Sequence, residues 1–354
     1  MYQAFYKLRG KPFQLTPDPR LLFPSNGHKR ALSYLLYGLE QGEGFVMITG
    51  AVGTGKTLLI QTLFDKLAGR RIATASMVSA DLDGPDLLPA VAAAFRLPYE
   101  GRSKAALLQD IKAHLLSLRT RYTGTLLVVD EAQTLTPAAL ELLRILSNFE
   151  INGQALLQIF LVGQTELRRT ITTHNMEQLR QRIIASYRLD PLLPDESHDY
   201  ILHRLHAVGW KSDPEFAPDI FPEVQRFSGG IPRKINLIMD RLLLYGYLEE
   251  RHQLGRDALA IVLNEIQEEM SGVPPTLEAP PVGQQSANLK HTPAISEKEE
   301  QLSSLESKLN DILKQMRERI RLKEMARSGN AHGSQPDGPT APGVRRIGSK
   351  RENK

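Results

Sequence analysis

The sequence predicts an α/β protein: a parallel sheet covered by helices on both faces, then a small all-helical domain. Three observations lead there. Short apolar runs alternate with helical patterns through residues 1–193, strand signals stop after Pro194, and the composition turns to Pro, Gly, Ser and Gln beyond residue 270. Strands that alternate with helices are joined by crossovers, and crossovers give parallel sheets buried on both sides. The expected divisions are a sheet domain at 1–193, a helical domain at 194–270, a linker at 271–294, an amphipathic segment at 295–327 and a tail at 328–354.

Each element has its own signal. Residues 45–49 are an apolar run ending in glycine, which marks a buried strand. Leu58, Leu59, Leu63 and Leu67 then recur at helical spacing. Residues 72–78 read as a second strand, with helical patterns at 86–95 and 104–118. A third strand is expected at 125–129, and 137–149 opens as a helix with Pro137 in its first turn. Residues 156–162 form a short apolar run around Gln158, a fourth strand, and 185–189 a fifth. Helices are expected at 195–208, 217–227, 232–247 and 256–270.

Past the linker, Leu302, Leu305, Leu309, Ile312 and Met316 repeat at 3-4-3-4 spacing among Glu, Lys and Arg. Two readings stay open for this stripe: a short coiled coil, or a lone amphipathic helix docking on this chain or on a partner. Residues 328–354 carry Gly, Ser, Pro and charge without apolar periodicity, and disorder is expected there.

Composition excludes several classes. Of 354 residues, 41% are hydrophobic and 24% charged, so wholesale disorder is ruled out and the chain can bury a core without staples. With no cysteine there is no disulfide partner, Cys-ligated zinc, iron–sulfur cluster or thiol nucleophile. No run of about 20 apolar residues suggests a spanning helix. Residues 1–10 carry aromatics and charges where a signal peptide has an apolar segment. The expected location is the cytoplasm, peripheral at the inner membrane through a partner. The net charge of +4 lies in the tail: residues 271–354 hold 14 Lys and Arg against 10 Asp and Glu, which leaves 30 of each in 1–270. No nucleic-acid groove is expected from that balance.

The sharpest motif is Gly50-Ala51-Val52-Gly53-Thr54-Gly55-Lys56-Thr57, followed by Leu58. It fits G-x-x-x-x-G-K-[ST], and a chance match in a chain this long has a probability on the order of one in a hundred. The glycines let successive backbone N–H groups face a phosphate. Lys56 supplies charge to the β- and γ-phosphates, and the Thr57 hydroxyl binds Mg²⁺. A helix opening at this point aims its positive end at the same anion. ATP and Mg²⁺ are the expected ligands.

The strand at 125–129 ends in Asp130 and Glu131. Asp130 would hold the Mg²⁺ shell, and Glu131 would orient or deprotonate the attacking water. Gln164 lies just beyond the fourth strand, where it would touch the γ-phosphate or the water or, alternatively, bond its own loop. Arg180 and Arg182 are expected on a helix, and spacing alone does not separate a neighbour's arginine finger from surface charge. Arg233 follows Gly229-Gly230-Ile231-Pro232 in a first helical turn, an unfavourable place for a cation, which suggests a phosphate contact.

Taken together, the loop, the Asp-Glu strand end, the polar end of strand four, the Arg pair and Gly-Gly-Ile-Pro-Arg on a helical lid resemble an AAA+ ATPase. The family looks like the ExeA/GspA-type secretion ATPases. The stretches that carry this likeness include Phe5-Tyr6 with Lys11-Pro12-Phe13, Thr16-Pro17-Asp18-Pro19-Arg20, Val129-Asp130-Glu131-Ala132-Gln133 and Leu161-Val162-Gly163-Gln164. Residues 27–31, 41–45 and 208–211 look most like the subfamily encoded beside exosortase/PEP-CTERM and exopolysaccharide genes. The resemblance implies a P-loop AAA+ sheet with a C-terminal lid. It makes Gln164 sensor 1, Arg182 the arginine finger and Arg233 sensor 2, with Arg180 competing for the finger. It further implies self-association in a ring or dimer with the finger acting in trans. Larger family members continue into a membrane span and a peptidoglycan-binding domain, whereas this chain has the linker and stripe. An adaptor role toward an envelope or secretion protein is therefore expected of residues 295–327.

Three functions compete at this point. One is an ATPase that powers a secretion, exopolysaccharide or envelope-assembly machine. The second is a DNA-associated helper ATPase of the transposition type, and the third is a nucleotide-switched scaffold.

Overall fold

The computed structural model describes residues 1–16, 18–79, 82–173 and 176–271. The expected linker, the stripe at 302–316 and the tail lie outside the described residues.

The sheet domain runs through α2 (Asn26–Gln41), after the single turn α1 (Tyr2–Phe5), into β1 (Phe45–Gly50), α3 (Lys56–Leu67) and β2 (Ile72–Val78). It continues with α4 (Gly84–Ala94), α5 (Lys104–Leu118), β3 (Gly124–Asp130) and α6 (Pro137–Ser147). A small hairpin of β4 (Glu150–Ile151) and β5 (Gln154–Ala155) precedes β6 (Gln158–Gly163). Then come α7 (Thr165–Thr172), α8 (Glu177–Arg180) and β7 (Ile183–Leu189). The helical domain contains α9 (Pro194–Ala207), β8 (Glu215–Phe216), α10 (Ile220–Ser228), α11 (Pro232–Leu248), β9 (Gln253–Leu254) and α12 (Arg256–Ser271).

Five strands make the main sheet in the order β2-β3-β6-β1-β7, all parallel. The register sets Met77 against Val129, Val129 against Leu161 and Leu161 against Met47. Asp130, Gly163 and Gly50 therefore leave the sheet at the same end. Chain order reverses around β1, and ligands in open α/β sheets bind at such a switch point beyond the strand ends.

Alternation along the strands builds two cores. Val46, Ile48, Leu126, Val128, Phe160 and Val162 face α2 and α3. Phe45, Met47, Leu127, Val129, Ile159 and Leu161 face α4, α5 and α6. Each such side chain, fully buried, contributes about 1.5–3 kcal/mol. The inner strands β1, β3 and β6 are covered on both faces and read as near-continuous apolar runs, whereas β2 and β7 at the sheet edges are buried at only some positions.

Three differences from the sequence expectation have physical causes. Helix α2 carries a narrow stripe of Ala31, Leu35 and Gly38 between polar residues, too thin for a strong periodic signal. Strand signals do not end at Pro194: β8 and β9 pair in parallel, each two residues long, below what periodicity detects. Finally, apolar residues of the N-terminal segment pack with the helical domain. Tyr2, Tyr6, Leu8, Phe13 and Leu21 share a core with Leu205, Ile238, Leu242 and Val262. The Tyr2 hydroxyl donates to Asp240 at 2.5 Å, and the Tyr6 hydroxyl to the Arg251 carbonyl at 2.9 Å. That contact spans over two hundred residues of sequence, so no local pattern announces it.

Candidate functional site

Strand β1 delivers Gly50, and the chain turns through residues 51–55 into α3. Gly53 and Gly55 have φ of 83° and 95°, a region that suits glycine. Space forbids a side chain as well. A Cβ on Gly55 would lie 2.7 Å from His28 Nε2, and one on Gly53 2.5 Å from Arg233 Cβ. The result is a bare backbone cradle at the N-terminus of α3, the geometry that suits a phosphate. Lys56 donates from Nζ to the Gly50 and Ala51 carbonyls at 3.0 and 2.9 Å. Burial pulls its pKa down, opposed by the Glu131, Asp130 and Glu166 carboxylates.

Across the sheet end, Thr57 Oγ1 donates to Asp130 Oδ2 at 3.1 Å, and the Glu131 N–H donates to Asp130 Oδ1 at 2.9 Å. Burial raises the Asp130 pKa, while those two hydrogen bonds offset part of the rise. A hydroxyl and a carboxylate so close are hard oxygen donors suited to Mg²⁺. Among the described residues no group of three or more His, Cys, Asp or Glu forms a metal cage. Mg²⁺ would thus be held through Thr57 and Asp130 together with substrate phosphates, the usual habit of that ion.

Glu131 sits at φ 54°, in the left-handed region, an uncommon place for a non-glycine residue. Its Oε2 accepts from Gln133 Nε2 at 2.6 Å and from Gln164 Nε2 at 3.5 Å. Gln133 Oε1 in turn accepts from the Gln164 N–H at 2.8 Å. One amide thus ties the expected base to the end of β6. Gln133 was not singled out for this task from sequence. Its position two residues after Glu131 is the one available signal, in the short 3-10 turn Ala132–Thr134.

Lys56, Thr57, Leu58, Glu131, Gln164 and Arg233 line one cavity of about 300 Å³. Arg233 is the second residue of α11, and its N–H donates to the Gly53 carbonyl at 3.2 Å, so the helical domain touches the loop directly. Residues 14–16 and 18, with Tyr200, Arg204 and Asn236, complete the walls. Sequence reasoning passed over these as site residues, because three separate chain segments bring them together.

The two arginines of 180–182 lie elsewhere. Arg180 ends α8 and pairs with Glu177 at 3.5 Å. Arg182 is not on a helix as expected. It stands between α8 and β7, where its carbonyl must accept from the Phe45 N–H at 2.9 Å to begin pairing with β1. Its guanidinium donates to Ser147 Oγ at 3.4 Å. Arg182 is thus at the start of β1 and the loop at its end, a separation of roughly 17 Å at about 3.3 Å per strand residue.

Comparison with known proteins agrees with this geometry. A family model described as an AAA domain matches residues 39–171. General secretion pathway protein A of Aeromonas hydrophila is 39% identical over 267 residues, which are 75% of this chain and 48% of that protein. The chain therefore spans about half the length of that relative. Among solved structures, Pyrobaculum aerophilum Cdc6p superposes with a TM-score of 0.57 at 18% identity, covering 73% of this chain and 75% of that one. The Aeropyrum pernix ORC1 protein in complex with DNA gives 0.55 at 17% identity, covering 74% and 71%. Drosophila ORC bound to DNA gives 0.52 at 15%, covering 77% and 67%. These three likenesses show the fold. Sheet order, loop and AAA-domain match place the chain among the AAA+ ATPases, the P-loop NTPases that hydrolyse ATP. Within that class the chain is similar to the General secretion pathway protein A type, over about half of that relative's length.

Proposed function

We propose that ATP hydrolysis in the 300 Å³ cavity drives or regulates a secretion, exopolysaccharide or envelope-assembly system. The observation that supports the chemistry is the convergence of Lys56, Thr57, Glu131, Gln164 and Arg233 on one cavity beside a bare backbone cradle. In this reading residues 50–58 hold the phosphates, and Lys56 exchanges its two carbonyl contacts for the β- and γ-oxygens. Bound Mg²⁺, held by Thr57 and Asp130, supplies charge neutralisation. Glu131 accepts a proton from the attacking water while Gln164 orients it. As the water oxygen bonds to the γ-phosphorus, the bond to the ADP oxygen breaks, and ADP and phosphate leave. Arg233 faces the same phosphates from the lid.

Arg182 cannot serve its own site from the far end of β1, so it acts as the finger for a neighbouring copy in a ring or dimer. Arg180, tied to Glu177, is the competing choice. The name of the relative at 39% identity supports a secretion role, and the sequence resemblance supports the finer exosortase/PEP-CTERM setting. Residues 295–327 carry the contact to the envelope or secretion protein, which holds the chain at the cytoplasmic side of the inner membrane. Among the described residues no helix is long and apolar enough to cross a membrane.

A DNA-associated helper ATPase is the second reading, since two proteins of similar fold are described with DNA. The equal balance of 30 basic and 30 acidic residues in 1–270 favours the first. The test is turnover and binding in Lys56→Ala and Glu131→Gln. The first loses ATP binding by calorimetry, and the second binds but does not turn over. Unchanged affinity in Lys56→Ala would sink the site assignment. A salt-dependent mobility shift with random duplex DNA would favour the second reading.

A further inference from the structure

One stretch near the N-terminus has no task in the reaction described above: residues 11–16. Its placement is unusual. Phe13 is fully buried in the core shared with the helical domain, while Leu15, two residues on, is 58% exposed. Between the two, the chain leaves that core and runs along the nucleotide cavity, where Gln14, Leu15, Thr16 and Asp18 form a wall.

One side chain holds the segment there. Arg204, on α9, is 6% exposed and lines the same cavity. It donates from Nε to the Pro12 carbonyl, from Nη2 to the Gln14 carbonyl at 3.4 Å and from Nη1 to the Tyr200 hydroxyl at 2.9 Å. The Tyr200 hydroxyl then donates to Asn236 Oδ1 at 2.8 Å, and Tyr200 and Asn236 are themselves buried cavity residues. Every partner of the guanidinium is neutral, and no carboxylate of the described residues pairs with it. A buried cation without a counter-charge is costly unless something else supplies the anion. The cavity it lines is the one that takes a polyanion.

We propose that residues 12–16 are a strap that closes on bound nucleotide and that Arg204 is the positioning residue that clamps it. This rests on the reading of the cavity as the nucleotide site. The ligand is a nucleoside di- or triphosphate. Its phosphates provide the charge that Arg204 lacks, and the two carbonyl contacts carry that gain to the strap. Such a device strengthens binding of ground state and transition state alike, so its loss raises KM and leaves kcat in place. Lysine is a poor substitute, because one ammonium cannot span two carbonyls and a hydroxyl as the planar fork does.

The experiment uses the full chain and measures ATP and ADP affinity by calorimetry, steady-state turnover, and trypsin cleavage after the exposed Arg20. Arg204→Met, Arg204→Lys and the double variant Leu15→Gly/Thr16→Gly are compared with wild type and with Lys56→Ala. The double variant loosens the exposed strap and leaves the buried network intact, so it decides the matter even if Arg204→Met fails to fold. Expected are a roughly tenfold weaker Kd for both nucleotides in Arg204→Met and in the double variant, kcat within about twofold, partial recovery in Arg204→Lys, and cleavage after Arg20 slowed by ATP in wild type. Wild-type affinity in the double variant, or a fall in kcat with unchanged KM, overturns the strap. If wild type and Lys56→Ala bind ATP equally or not at all, the nucleotide reading itself fails, a result distinct from the first.

Discussion

The two ends of β1 differ in almost everything except the strand that joins them. At one end Gly53, Gly55 and Glu131 hold left-handed backbone, and ionisable groups are pressed into a shared cavity. At the other, Gly42 and Gly44 are left-handed too, but the contact there is backbone pairing, the Phe45 N–H donating to the Arg182 carbonyl. The contrast in buried charge supports the first end as the ligand site and leaves Arg182 away from it. Strain and buried charge persist where the surroundings over-determine them, and such places concentrate at functional sites.

The largest expected effect would break that contrast outright. Arg182→Ala should bind ATP as wild type does yet lose about 10³–10⁵ in turnover, the usual worth of an arginine supplied in trans. Specific activity of wild type should also rise with protein concentration. Mixing Arg182→Ala subunits with Lys56→Ala subunits should restore part of the activity, since each supplies what the other lacks. Flat activity over a wide dilution range, with no recovery on mixing, would return Arg182 to surface charge.

Next in size is Glu131→Gln. The amide fits the same space but accepts no proton, and a general base contributes about 10²–10⁴ in rate. Binding of ATP measured by calorimetry should stay, and turnover should vanish. A variant that retained more than a tenth of wild-type kcat would mean that another group takes the proton.

Gln133→Leu comes third. It keeps the volume but removes the 2.6 Å donor to Glu131 and the acceptor for the Gln164 N–H. Misplacing a reacting group by about 1 Å costs up to roughly 10² in rate, so kcat should fall within that range with Kd unchanged. Equal kcat in the two proteins would show that the left-handed turn at Glu131 positions the carboxylate unaided.

How legible this was from sequence follows the same division. The five main strands and the loop at 50–57 are local: an apolar run or a fixed spacing contains the whole signal. Glu131, Gln164 and Arg233 are legible one step further, as polar residues at strand and helix ends, and they do converge on one cavity. A helix is the expectation for Arg182, and its neighbours 177–180 do form one, but pairing of its carbonyl with the Phe45 N–H places it in the turn just before β7. Gln133, Arg204 and the strap were not legible as site residues. Their roles exist only after segments far apart in sequence have packed, and Tyr2 on Asp240 is the extreme case.

The smallest effect concerns what the binding end costs the empty protein. Burial raises the Asp130 carboxyl above the range of an exposed aspartate. Below the unfolded pKa near 3.9 both states carry the proton, and the site costs nothing electrostatically. As pH rises through the folded value, the native state must hold a desolvated charge, and the stability the raised group contributed is lost. Asp130→Asn keeps the shape and the contact to Thr57 but never ionises. It should therefore raise the melting temperature of the nucleotide-free protein at neutral pH. The advantage should shrink toward zero near pH 4, and Mg²⁺-dependent turnover should be lost at every pH. Thermal melts of both proteins across that range decide the point. A gap of the same size at pH 4 and pH 7 would mean that the change acts through packing, and that the carboxylate at the sheet end is not under electrostatic strain.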